Sequence, residues 1–239
     1  MPDTKGTNQT ALSNNSVTQL NETARDSQFE IPGVERHIAR MLIALYHLGT
    51  ATRSLWDGET RQVDSIRQLQ QFEFWLREPG HLALALLHIA VEQPAQTELI
   101  RITLDRILTD RNADRRRVIW PGTPYQTLPN LNESFTFLSS RGLVSDRPSF
   151  TPGRTTRRIV LESPGVVFCR KIVETCPSFV WYDWLGETVV HFWSWLESID
   201  LTVMPHLSPD LTPTQAAIVP LMPIIKRRYE NLFTPLESN

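Results

Sequence analysis

The stretch LNESFTFLSSRGLVSDRPSFTPGRTTRRIVL, running from Leu131 to Leu161, decides how this chain of 239 residues is read. Leu131, Phe135 and Leu138 recur at helical spacing, the apolar pair Leu143 and Val144 follows one turn on, and Asn132, Glu133 and Ser139 are left for solvent. Gly142 stands where a helix C-terminus wants a left-handed residue. After it come a short run at Ser149 to Thr151, the turn former Pro152-Gly153 and a strand candidate from Arg154 to Leu161. Alternation along that strand puts Thr155, Arg157, Ile159 and Leu161 on one face and Arg154, Thr156, Arg158 and Val160 on the other. Its inner end is apolar and its outer end cationic. A helix followed by such a hairpin reads as a winged helix.

Charge is concentrated at the same place. The net charge of -2 says little, because residues 1 to 30 alone contribute it and the remainder is neutral. Between Arg141 and Lys171, by contrast, Arg141, Arg147, Arg154, Arg157, Arg158, Arg170 and Lys171 stand against Asp146 and Glu162 only. Arg141, Arg147, Arg154, Arg157 and Arg158 are therefore the candidate residues of a wing that binds nucleic acid or a protein partner. Arginine forks match carboxylates and phosphates better than lysine does, although an arginine bias also follows from genome composition.

The rest of the chain divides into four blocks. Residues 1–30, rich in Asn, Thr, Ser and Gln, read as a disordered tail. Residues 31–110 read as a helical domain. Its first helix carries the stripe Val34, Ile38, Met41, Leu42, Leu45 and Leu48; a loop around Asp57-Gly58 leads to a second, with Val63, Ile66, Leu69, Phe72 and Leu76 inward, which stops before Pro79. A third, from about Leu82 to Val91, is apolar almost all round, and a fourth begins at Pro94 and runs to about Thr109. Residues 111–176 form the winged-helix element, opened by a charged, proline-rich linker and closed by a helix from about Ser163-Pro164. Residues 177–239 form an aromatic-rich helical extension, with a last short helix at Ile224 to Leu232.

In that extension Leu185, Val189, Phe192, Leu196 and Ile199 make one helical stripe, and Trp181, Trp184, Thr188, His191 and Trp195 make a second beside it. A helix so poor in polar surface is either enclosed by the protein or meets another chain, which makes Trp181, Trp184, His191 and Trp195 candidate partner-binding residues. The fold expected is mostly α with a small β-hairpin: a helical N-terminal part, a winged-helix element and an aromatic-rich C-terminal helix.

Chemistry is hard to place on these residues. The sequence holds no phosphate-binding glycine loop, no dinucleotide fingerprint, no His-Glu-x-x-His and no nucleophile elbow. His81 and His88 lie seven apart with no further ligand at metal spacing, and the three lysines stand away from acidic pairs. The expectation is a protein that is not an enzyme and needs no cofactor or metal. Cys169 and Cys176 read as two reduced core thiols, and without an apolar leader or a spanning segment the expected location is the cytoplasm.

Two segments carry a resemblance. The run Leu69-Gln-Gln-Phe-Glu-Phe-Trp-Leu-Arg-Glu-Pro-Gly-His-Leu-Ala-Leu-Ala-Leu-Leu87 resembles the Phe-x-x-Arg-x-Pro-x-x-Leu segment in middle components of bacterial ABC-three-component systems, the Lamassu type of phage-defence operon. Phe137 to Val144, the hairpin and Leu161 to Gly165 resemble the winged part of the same proteins. The resemblance spans about Val34 to Val173 and implies a non-catalytic adaptor subunit held against an SMC-like ATPase and an effector, often a nuclease. The alternative from the residues themselves is a winged-helix DNA-binding transcriptional regulator, whose helix Leu131 to Arg141 enters the major groove. Against it, that helix carries Glu133 and no arginine before Arg141.

Overall fold

The computed structural model describes residues 33–54, 58–109, 131–151, 154–199 and 221–233. The chain divides into two compact units, Met1–Arg36 and His37–Asn239, and every side-chain contact described lies within the second. In chain order the elements are α1 (Gly33–Leu48), β1 (Thr50–Ser54), β2 (Gly58–Val63), α2 (Ile66–Arg77), α3 (Pro79–Glu92), a 3-10 turn (Pro94–Gln96), α4 (Thr97–Thr109), α5 (Leu131–Ser140), β3 (Val144–Thr151), β4 (Arg154–Leu161), α6 (Ser163–Thr175), α7 (Pro177–His191), α8 (Trp193–Leu196) and α9 (Met222–Phe233). The fold is mostly helical with a small antiparallel sheet. Among the described residues no helix is long and apolar enough to cross a membrane.

Helix ends obey local rules. Ser65 caps α2 by accepting a hydrogen bond from the Gln68 amide at 3.3 Å. Prolines stand in the first turns of α3, α6 and α7, where a missing N–H costs nothing. At the end of α5, Gly142 adopts φ +65°, its amide donates to the Ser139 carbonyl at 2.9 Å, and the Leu143 amide donates to Leu138 at 3.0 Å. This double closure uses up two orphan carbonyls and turns the chain into β3.

The hairpin expected after α5 is present: β3 and β4 pair antiparallel from Val144↔Leu161 to Thr151↔Arg154. It is not a free flap. β4 also pairs with β2, at Arg61↔Leu161, Gln62↔Val160 and Val63↔Ile159, and β2 pairs with β1, giving a sheet in the order β1-β2-β4-β3. The loop read around Asp57-Gly58 thus lies between two strands, and Val63, read as the start of the second helix, ends β2 instead and is buried in the sheet. Ile159, Val160 and Leu161 are all buried. Successive strand residues face opposite ways, so both faces of the sheet are covered at that end. α2 packs on β4, and α6 packs on β2.

α3 is buried from Pro79 to Leu87 on nearly every side and packs on α2, α4 and α9, while α7 packs on α2 and α6. The aromatic helix read as continuous breaks at Phe192, between α7 and α8. Gln71 of α2 meets the far end of α8: the two hydrogens of its amide nitrogen are shared among the carbonyls of Leu196, Glu197 and Ile199, at 2.9, 3.3 and 3.1 Å. One buried side chain thereby caps the carbonyl end of α8. The tail 1–30, the linker cluster at 111–117 and the Pro152-Gly153 turn lie outside the described residues.

Candidate functional site

The winged segment brings most of its arginines to carboxylates. Arg147 bonds Glu162 at 2.6 Å, Arg157 bonds Asp146 through Nε at 2.8 Å, and Arg158 stands 3.0 Å from Asp64 in the β2–α2 connection. Arg170 is held in the same way by Glu59 of β2 at 2.5 Å, and its guanidinium keeps the Glu59 carboxyl below the usual range. Arg141 is exposed and lies over the Phe137 ring, 5.5 Å from its centre. The side chain of Arg154 lies outside the described residues. The local positive charge read from the sequence is therefore offset at Arg147, Arg157, Arg158 and Arg170. These pairs are exposed or half-exposed and each adds little stability, but together they weaken the field a phosphate would feel.

Between α5, the hairpin and the start of α2 lies a cavity of about 420 Å³. Ile66, Phe135 and Ile159 make its apolar part, and Thr136, Ser139 and the Asp146–Arg157 pair its polar part. The outward side of α5 presents Glu133, Thr136, Ser139 and Phe137, the last 44% exposed. An acidic first turn with an exposed phenyl ring suits a protein surface better than a phosphate backbone.

The tryptophan stripe is split between inside and edge. Trp181 is buried and packs on Trp184, ring centres 4.9 Å apart. Trp184 is half-buried, its outer face covered by the Arg106 guanidinium 4.0 Å away. Trp195 is half-buried beside Phe192, and His191 is exposed. The companion stripe of Leu185, Val189, Phe192 and Leu196 is core.

Sequence reading missed a buried charge cluster. Arg40 on α1 and Glu73 on α2 have no exposed side-chain surface and bond at 3.1 Å; Arg77 reaches the other Glu73 oxygen at 3.3 Å, and His37 lies 3.6 Å away. Burial alone would raise the Glu73 carboxyl, but the His37 contact and the charges of Arg40 and Arg77 outweigh it and hold the group down at about 2. Arg40 also lies over the Tyr182 ring of α7, 5.8 Å from its centre. Two helices meet at the carboxylate, and a third touches the cluster through Arg40. A signal was available in the Glu73/Arg77 spacing of four and in Arg40, set between the apolar Ala39 and Met41.

A second polar contact joins α1 to α7: His47 Nε2 and Asp183 Oδ1 are 2.8 Å apart. Cys169 is buried on α6, and Cys176 is only half-buried, so one of the two expected core cysteines is core; both thiols are free. Burial, and after it the Asp183 charge, push the Cys169 thiol up to about 12 against the opposing pull of Arg61 and Arg170. A thiol so placed stays protonated and is a poor nucleophile. Of the two histidines seven apart on α3, His81 is buried 3.6 Å from Glu78, and His88 lies on the surface 3.2 Å from Glu92. Among the described residues no three His, Cys, Asp or Glu come together as a metal site would require.

These features define a mostly helical protein with a small antiparallel sheet, a hairpin on which Arg147, Arg157 and Arg158 are paired with carboxylates, and a partly covered tryptophan helix. No protein-family model matches the chain, and no curated protein and no solved structure matches it either.

Proposed function

We propose that this protein is a non-catalytic adaptor subunit that links an SMC-like ATPase to an effector in a bacterial phage-defence complex. The partners come from the resemblance of the Leu69 to Leu87 and Phe137 to Gly165 segments. The observation that carries the adaptor over the DNA reader is the pairing of Arg147, Arg157 and Arg158 with Glu162, Asp146 and Asp64. A duplex would have to displace three carboxylates before it met those guanidinium groups, and a protein surface with its own mixed charges can exchange partners with them one by one. The exposed Phe137, the cavity behind α5 and the half-buried Trp195 supply apolar and aromatic anchors of the kind that dominate protein interfaces.

The test has two arms. Purified protein titrated onto duplex DNA at physiological salt gives no shift, and a tagged copy in its native host retains an SMC-like ATPase through washing. Tight, sequence-selective DNA binding that weakens with salt at a slope of about -0.9 per phosphate contact would overturn the adaptor and favour the regulator.

A further inference from the structure

We propose that the buried cluster of α1, α2 and α7 binds a small monatomic anion, a chloride ion, on the guanidinium of Arg40. The site is independent of the adaptor reading. Arg40 has no exposed side-chain surface, and its Nε donates to Glu73 at 3.1 Å. Nη1 and Nη2, both buried, have no hydrogen-bond partner among the described residues. Each carries two hydrogens, so four N–H groups of one cation lack an acceptor. The Tyr182 ring lies against the same guanidinium, its centre 5.8 Å from Cζ, and its hydroxyl is buried without a partner as well. His37 stands 3.6 Å from Glu73, and neither of its ring nitrogens has a partner within hydrogen-bond distance. Donors of a charged group enclosed in the interior are costly to leave unbonded, and they call for an acceptor.

Charge and donor count choose the occupant. The groups in mutual contact are two guanidinium ions, Arg40 and Arg77, and one carboxylate, Glu73. The next acid along α2, Glu78, stands 3.6 Å from His81 instead. The cluster is left with an excess of positive charge, which an anion offsets. A water molecule would bring two further O–H donors to a place already short of acceptors, whereas a halide brings acceptor capacity alone. A polyatomic oxyanion such as phosphate brings more oxygens than these donors can bond, and the remainder would be buried dry. Arg40, His37 and Tyr182 are all buried, so the carboxylate of another protein cannot reach the guanidinium.

The test melts the full chain with sodium chloride as the probe, sodium gluconate holding the ionic strength constant. The midpoint rises by about 3 to 6 °C for each tenfold increase in chloride above its dissociation constant. Bromide replaces chloride, and phosphate does not. In Arg40→Met the dependence on chloride vanishes. Should that variant fail to fold, Arg40→Met with Glu73→Gln, which takes away both members of the buried pair, serves in its place. Equal midpoints in chloride and gluconate would overturn the proposal, because water alone would then meet the Arg40 donors. So would a chloride dependence that survives the loss of Arg40, since the ion would then bind elsewhere, and so would an equal response to phosphate, which a site closed around a monatomic ion excludes.

Discussion

Arg40 and Glu73 meet at 3.1 Å with neither side chain open to solvent, and through this contact the first helix is tied to the second. Glu73 also receives Arg77 from its own helix. A carboxylate so enclosed is costly to remove, because its partners would remain charged in the interior. Glu73→Gln should lower stability by about 3 kcal/mol or more, which for a unit of this size is a drop of roughly 6 to 12 °C in the melting midpoint. A change of less than 2 °C would mean that Arg40 and Arg77 find water when Glu73 is gone.

The same carboxylate sets an acid limit. Its pKa is depressed in the fold, from an ordinary 4.5 to about 2, so the folded state favours the ionised form. The stabilisation is therefore complete above the unfolded value and is lost as pH falls from about 4.5 toward 2. Urea unfolding of parent and Glu73→Gln should differ most above pH 5 and converge on the way to pH 2. A gap constant with pH would contradict this assignment.

Gly186 on α7 leaves room for the His47 ring: a Cβ there would stand 2.5 Å from His47 Cδ2. Replacing a helical glycine with alanine is ordinarily favourable by about 1 kcal/mol. Here Gly186→Ala should instead cost about 1 to 3 kcal/mol by overpacking. In a His47→Ala background the same change should become neutral or stabilising, and a double-mutant cycle by denaturant unfolding reads the sign.

Arg157→Glu with Arg158→Glu should leave the fold intact, with an unchanged melting midpoint, since Arg157 is exposed, Arg158 is half-exposed and their pairs are weak. On the proposed adaptor reading, the double change should nevertheless abolish phage protection by the assembled system, as scored by plaque counts. Full protection would reduce the arginine hairpin to a solvated face.

Cys169 and Cys176 should separate under a thiol reagent. With its thiol pushed up to about 12 inside the fold, Cys169 should react only after denaturation, and Cys176 should react in the native protein. Rapid native labelling of both would show that α6 opens readily.

The Leu131 to Leu161 stretch was legible because its signals are local. Helical spacing of Phe135 and Leu138, a left-handed Gly142 and an alternating strand ending in Ile159, Val160 and Leu161 each depend on a few neighbouring residues. β1 and β2 were not legible. Thr50 to Ser54 and Gly58 to Val63 have a single large aliphatic side chain, Val63, and no alternation, because β1 is an exposed edge and β2 gains its place by pairing with a strand about a hundred residues away.

The division between sequence and tertiary structure follows from the range of the forces. Periodicity, caps and prolines act within a turn or two, and they alone determined a mostly helical chain, the helix-then-hairpin order and the position of the tryptophan helix. Which charges are free depends on residues brought together across the fold. Asp64 answers Arg158, Glu59 answers Arg170, and Glu73 gathers Arg40, Arg77 and His37. A count along the sequence sees a basic stretch and an ordinary helix. Only folding brings these carboxylates within bonding distance of their arginines, and so decides that Arg147, Arg157 and Arg158 of the hairpin are paired and that the Glu73 cluster is buried.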